Sequence, residues 1–81
     1  MLPLRDGQVR VRANFDGEVE VLVRAGQRID VGQVICIIEG EHEIERLCAR
    51  NPSIVVEVLE RTGTDVAKGA LLAVLKEDGP A

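Results

Sequence analysis

Apolar and polar side chains alternate along much of the 81-residue chain, and this period of two is typical of half-buried β-strands. The clearest cases are residues 8–13 and 18–23, where valine recurs at every second position. Branched valine side chains suit a pleated, half-buried surface. Turn dipeptides such as Asp16-Gly17 and Ala25-Gly26 separate these segments. The alternation therefore predicts short strands joined by tight turns.

A continuous apolar run, Val34–Ile38, is too short for a helix and is rich in β-branched residues, so we expect a central strand there. Further strands are predicted at residues 44–49, 54–59 and 70–75. The polar segment Glu39–Glu43 lies between two predicted strands and should project as the tip of a hairpin. Eight short strands separated by turn residues predict an all-β fold.

An internal repeat appears when the chain is compared with itself at an offset of thirty-seven residues. Gly26 then aligns with Gly63 and Gly32 with Gly69, and apolar positions match around both pairs. Each half reads as a strand, a glycine turn, a short apolar bridge, a second glycine turn and a strand. Neither half could bury its apolar face alone. The repeat predicts two similar four-stranded units that pack face to face about a pseudo-twofold axis.

Composition and charge exclude several kinds of partner. The net charge is −4 and aromatic residues make up 1% of the chain, which disfavours phosphate binding and base stacking, so no nucleic-acid partner is expected. The longest uncharged stretch, residues 31–38, is too short to cross a membrane. The first residues lack the apolar core of a secretory signal, so a cytoplasmic location is expected.

The glycine and valine spacing resembles that of the biotinyl/lipoyl carrier domains. Ala13–Val19 is similar to the opening segment of that family, and Gly26 with Val31–Ile35 is similar to its first glycine turns. The second half matches through Gly63, Val66 and Gly69. The resemblance implies a barrel-sandwich hybrid, which is a flattened barrel of two four-stranded antiparallel sheets with pseudo-twofold symmetry and adjacent terminal strands. The domain would span residues 8–76, between an N-terminal lead (1–7) and a flexible C-terminal tail (77–81).

The segment that carries the cofactor in this family differs here. The family tip reads Glu-Ala-Met-Lys-Met for biotin, and its lysine is acylated by a ligase. The aligned residues of this chain are Glu39, Gly40, Glu41, His42 and Glu43. Because His42 stands at the lysine position and an imidazole forms no stable amide, the resemblance implies an unmodified tip and no cofactor.

The turn of the family places Glu41 and His42 at its centre, so Gly40 would face Glu43. Cys36 would then face Leu47, and Cys48 would lie opposite Ile35 on the other face of the hairpin, which prevents a disulfide. A turn centred on His42 alone would instead bring Cys36 opposite Cys48.

Two interpretations of the tip stay open. His42 with its flanking carboxylates is a weak candidate for a metal site, against the plainer interpretation of a solvated turn histidine. The acidic residues Glu39, Glu41, Glu43 and Glu45 either provide solubility or form a docking knob for a basic cleft. No catalytic residues are predicted, since a bare tip offers no pocket that excludes water.

The expected function is therefore non-enzymatic: a module that docks to or regulates a larger enzyme, of the biotin-dependent carboxylase or 2-oxoacid dehydrogenase type. A protein partner is expected, while the oligomeric state is not predicted. One alternative is a genuine swinging-arm carrier with an altered attachment residue. Another is a metal-binding module that acts through His42.

Overall fold

The computed structural model describes residues 7–77, which form eight β-strands and no helix. None of these elements could therefore cross a membrane as an apolar helix. The strands are β1 (Gln8–Arg12), β2 (Gly17–Val21), β3 (Arg28–Ile29), β4 (Val34–Glu39), β5 (Ile44–Cys48), β6 (Ser53–Val58), β7 (Asp65–Val66) and β8 (Leu71–Glu77).

Two four-stranded antiparallel sheets make up the fold, as the sequence predicts. The first sheet has the order β1-β8-β6-β3, and the second has the order β5-β4-β2-β7. The molecule is flattened, with principal extents of 41 × 30 × 18 Å, and its sheets do not close into a complete barrel. The first and last strands, β1 and β8, lie side by side, as expected for a barrel-sandwich hybrid.

The two sheets do not correspond to the two halves of the repeat, which corrects the expectation of two separate four-stranded units. Each sheet takes two strands from each half. The repeat relates β1, β2, β3 and β4 to β5, β6, β7 and β8, and this exchange converts the order of one sheet into that of the other. The pseudo-twofold symmetry is thus present, but it acts between interleaved halves.

The paired glycines of the repeat form matching turns. In the first pair, Gln27 N donates to Arg24 O and Thr64 N donates to Arg61 O, both at 3.1 Å. Gly26 and Gly63 occupy the third position of these turns with φ of 87° and 93°. A type II turn requires positive φ at that position, and glycine adopts it without a steric penalty.

The apolar core lies between the inner faces of the two sheets. The side chains with the least exposure come from β2, β3, β4, β6 and β8, and they include Val19, Ile29, Ile35, Cys36, Ile38, Val55 and Leu72. Ser53 is the buried polar residue of this set, and its hydroxyl donates to Asn51 O at 2.8 Å. Its hydrogen bond compensates for the removal of the hydroxyl from water.

Register shifts break the simple alternation in three ladders, the first of them between Val11 and Arg12 in the β1–β8 ladder. The β6–β8 register shifts between Val55 and Glu57, so Val56 is turned outward and is 47% exposed, although the repeat aligns it with buried Val19. The β4–β5 register shifts between Val34 and Cys36. An extra residue on one strand reverses the faces of the residues that follow, and no period in the sequence marks its position.

The ends of the ordered fold differ slightly from the predicted domain. β8 continues through Glu77, which was predicted to start the tail, because Glu77 pairs with Ser53 and its N–H donates to Gly7 O. The remaining residues of the predicted lead and tail, 1–6 and 78–81, lie outside the described residues.

The turn geometry gives a test by substitution. Nothing lies within 4 Å of a Cβ added at Gly63, so Gly63→Ala should destabilise through backbone strain alone, by about 1–2 kcal/mol. Gly63→Asn should cost less, since asparagine tolerates the left-handed region. Urea unfolding measures both, and Gly26→Ala should match Gly63→Ala. Equal stability of Gly63→Ala and the unsubstituted chain would contradict this assignment.

Candidate functional site

The hairpin between β4 and β5 ends in a two-residue tip. Glu39 pairs with Ile44 at the end of the ladder, and Gly40 N donates to Glu43 O at 2.7 Å. Glu41 and His42 are therefore the two central residues of the turn. This is the register that the family resemblance implies, and the alternative turn centred on His42 alone is wrong.

The side chains of the tip lie in open solvent. Those of His42 and Glu41 are 87% and 88% exposed, and His42 Nε2 lies 3.1 Å from Glu41 Oε1. Glu43 is also exposed. No wall surrounds the imidazole to exclude water or to hold a substrate, which general acid–base catalysis would need.

The loop between β1 and β2 supports the base of the tip. A Cβ added at Gly40 would lie 2.9 Å from Phe15 Cδ1 and 3.0 Å from Asp16 O, so glycine lets this loop pack directly against the hairpin. A Cβ on Gly17 would lie 2.5 Å from the carbonyl oxygen of Glu39. These close approaches hold the start of β2 and the end of β4 together.

Two hydrogen bonds hold the same loop in place. Asn14 Nδ2 donates to Glu45 Oε1 at 2.8 Å, and the backbone N–H of Lys68 donates to Asp16 Oδ1 at 2.7 Å. The tip is thus braced by residues 14–16, which sequence reasoning did not assign to the site. The signal that could have identified them is Phe15, the single aromatic residue of the chain, placed between polar neighbours in a turn.

The four carboxylates that one interpretation of the sequence joins in a docking knob lie in different surroundings. Glu45 pairs with buried Ile38 and accepts the bond from Asn14. Glu39 lies one residue further along β4 and therefore on the opposite face of the sheet, across from Glu18 of β2. Glu41 and Glu43 belong to the exposed tip. The four carboxylates therefore do not form one continuous acidic surface at the tip.

Both lysines of the chain lie outside the β4–β5 hairpin. Lys68 lies in the turn between β7 and β8, and Lys76 lies on β8, opposite Gln8 and Ile54. Within residues 7–77 there is no group of three or more histidine, cysteine, aspartate or glutamate side chains arranged to hold a metal ion. His42 and Glu41 form only a pair.

Both cysteines are free, and they lie in contrasting environments. Cys36 is fully buried in the core and faces Leu47, as predicted. Desolvation by burial raises the pKa of its thiol to about 11, so it stays protonated near neutral pH. Cys48 is exposed and pairs with Val34 instead of the predicted Ile35, because the β-bulge displaces the ladder by one residue.

Comparison with known proteins agrees with this geometry. The model of the biotin/lipoyl family, described as "Biotin-requiring enzyme", matches residues 9–75. The chain therefore belongs to the biotin/lipoyl family. Domains of this family are carrier modules and are not themselves catalytic. No curated protein sequence matches the chain significantly.

Solved structures of much larger proteins contain the same fold. A single-chain, multi-domain long-chain acyl-CoA carboxylase matches with a TM-score of 0.82 and 25% identity over 100% of this chain and 8% of its own. The urea carboxylase of Kluyveromyces lactis matches with a TM-score of 0.73 and 21% identity over 91% of this chain and 7% of its own. The chain thus corresponds to a small part of each carboxylase.

The contact between Gly40 and Phe15 gives a second test. Gly40→Ala should destabilise the domain by about 1–3 kcal/mol, because the new methyl group overlaps the ring and the adjacent carbonyl. In a Phe15→Ala background the same substitution should cost at least about 1 kcal/mol less, since the ring is gone. A double-mutant cycle by urea unfolding measures the coupling. An equal cost in both backgrounds would show that the ring does not brace the tip.

Proposed function

We propose that this biotin/lipoyl domain carries no cofactor and acts in the cytoplasm as a docking or regulatory module of a larger enzyme, of the biotin-dependent carboxylase type. The observation that carries the proposal is the identity of the tip. His42 is a central residue of the exposed turn, at the position that the resemblance assigns to the acylated lysine, and Glu41 and Glu43 flank it.

The chemistry of acylation supports an unmodified tip. A lysine ε-amine forms a stable amide, whereas an acylated imidazole remains reactive and loses its acyl group to water. Lys68 and Lys76 offer amines, but neither projects from the β4–β5 hairpin. A ligase that recognises Met-Lys-Met would meet two carboxylates and an imidazole at this tip.

The similarity to carboxylases supports the choice of partner. The whole chain matches 8% of the long-chain acyl-CoA carboxylase, so a domain of this fold occurs there as one part of a much longer, multi-domain chain. A protein partner of that class is therefore proposed.

The charge of the tip suggests how it would contact such a partner. Glu41 and Glu43 are exposed and lie on either side of His42 in the sequence, and like charges in proximity destabilise one another unless a cation or a basic surface compensates. A basic cleft on the partner would remove this repulsion. Glu45, which already accepts a bond from Asn14, is excluded from the contact.

Co-expression with a biotin protein ligase tests the absence of modification. By intact mass spectrometry, the chain should stay unmodified, while E41M/H42K/E43M should gain one biotinyl group. V31K, which adds a lysine to an exposed turn outside the hairpin, is the control and should gain none. A biotinyl adduct on the unsubstituted chain would show a genuine carrier, and a folded but unmodified triple variant would show that this tip is not the attachment position.

Affinity purification tests the docking role. The tagged chain should co-purify a protein that streptavidin detects, because a biotin-dependent carboxylase carries its own biotin. E41K/E43K should reduce the recovery at least about fivefold by reversing the charge of the tip. E20K/E57K makes the same change in net charge on exposed strand positions and should leave recovery unchanged. Equal recovery with both variants would contradict docking through the tip.

A further inference from the structure

A groove separates the two sheets along one side of the molecule, and the exposed tip residues Glu41, His42 and Glu43 do not line it. It lies between β1, one edge strand of the first sheet, and β5, one edge strand of the second, and its volume is about 760 Å³. Among residues 7–77 no ladder joins these two strands, so each presents one row of backbone N–H and C=O groups without a strand partner. Such edges are templates for an additional strand.

Hydrogen bonds between asparagine and glutamate mark the two ends of the groove. At the end next to the hairpin tip, Asn14 donates to Glu45. At the other end, Asn51 Nδ2 donates to Glu77 Oε2 at 2.9 Å. Glu45 and Glu77 are the acidic residues that line the groove, and each already accepts a hydrogen bond from an asparagine side chain.

The floor of the groove is apolar. Val11, Ile35 and Leu75 are buried core residues that reach it, and Val9 and Leu47 are half-buried side chains packed against the same core. An apolar side chain placed over this floor would extend the core between the sheets and would cover Val9 and Leu47.

The rim is basic, in contrast to the net charge of −4. Arg10 and Arg12 of β1 face it from one side, and Arg46 and Arg50 face it from the other, and all four are exposed. Arg12 Nη1 donates to Gly69 O at 3.0 Å. Within the described part of the chain, the other three guanidinium groups make no hydrogen bond or ion pair.

From this groove we infer a second interaction surface, which takes up an extended acidic segment of a partner protein. The segment adds a strand between β1 and β5, with apolar side chains on the floor and carboxylates, at every second position, facing the arginines. Charges of either sign would protect an edge strand from unwanted pairing. Here the unpaired charges share one sign, and this selects an acidic occupant. Five residues of β5, at about 3.3 Å per residue, define a segment of about five or six residues.

A titration followed by ¹⁵N–¹H NMR tests the inference with a capped peptide of seven alternating glutamate and valine residues. Amide shifts should concentrate on β1 and β5. The same peptide with lysine for glutamate should bind at least about tenfold more weakly, as opposite-charge cross-strand pairs become like-charge pairs. A copy N-methylated at alternate amides, which cannot complete a ladder, should also bind at least about tenfold more weakly.

Charge-reversed variants of the protein show whether the acidic peptide binds in this groove or responds only to the net charge of the domain. R10E/R46E should weaken binding of the acidic peptide at least about tenfold. R24E/R61E changes the net charge equally, at exposed turn positions that do not line the groove, and should stay within about twofold. Thermal unfolding confirms that both variants are folded.

Three results would overturn the inference. These are equal binding of the acidic and basic peptides, shifts centred on the hairpin tip instead of β1 and β5, or unchanged affinity in R10E/R46E. A second copy of the chain is another candidate occupant of the groove. Sedimentation of the chain without peptide tests this by measuring whether the chain forms a dimer. A dimer that R10E/R46E dissociates would show that a second copy, and not an acidic partner, fills the groove.

Discussion

The burial of one shared apolar layer between two sheets is the constraint on which the rest of this structure depends. The strands β4 and β8 lie inside their sheets and supply Ile35, Ile38 and Leu72 to that layer. Because each sheet contains strands from both halves of the chain, neither sheet can form before the two halves meet. The hairpin tip is a polar extension of β4 and β5, and the burial of Ile35, Cys36 and Ile38 in the core fixes the direction of β4.

The local elements follow from short-range patterns. Alternating valines around Val9 and Val19 and the apolar run after Val34 predict strands because side chains on a strand point alternately to its two faces. The paired glycines predict the turns because a type II turn needs positive φ at one position. These rules act over a few residues, and the described strands follow them closely.

The assignment of strands to sheets does not follow from the same rules. A repeat with a period of thirty-seven residues shows that two segments are similar in sequence. It does not determine whether the strands of one segment pair with each other or with strands of the other segment. Val56 illustrates a second limit, because the repeat aligns it with buried Val19 and the register shift between Val55 and Glu57 turns it outward. Hydrogen bonds to strands distant in sequence decide both outcomes.

In the candidate site, too, some features could be predicted from the sequence and others depend on contacts between distant segments. The register of the tip follows from the family resemblance, since the sequence by itself leaves a turn centred on His42 open, and Glu41 and His42 lie where the resemblance places them. The packing of Phe15 on Gly40 and the bond from Asn14 to Glu45 join segments that are far apart in sequence, so alternation carried no sign of them. That second contact also removes one carboxylate from the acidic surface of the tip.

The hydrogen bond between Gly7 and Glu77 has a consequence for any chain that is attached to this domain. It brings the polypeptide leading into the domain next to the polypeptide leaving it, at the end of the groove where Asn51 holds Glu77 and furthest from the tip. A flanking chain attached there leaves the turn around His42 unobstructed. Two linkers at that point would behave as a single pivot, about which the whole body could swing with the imidazole at its leading end.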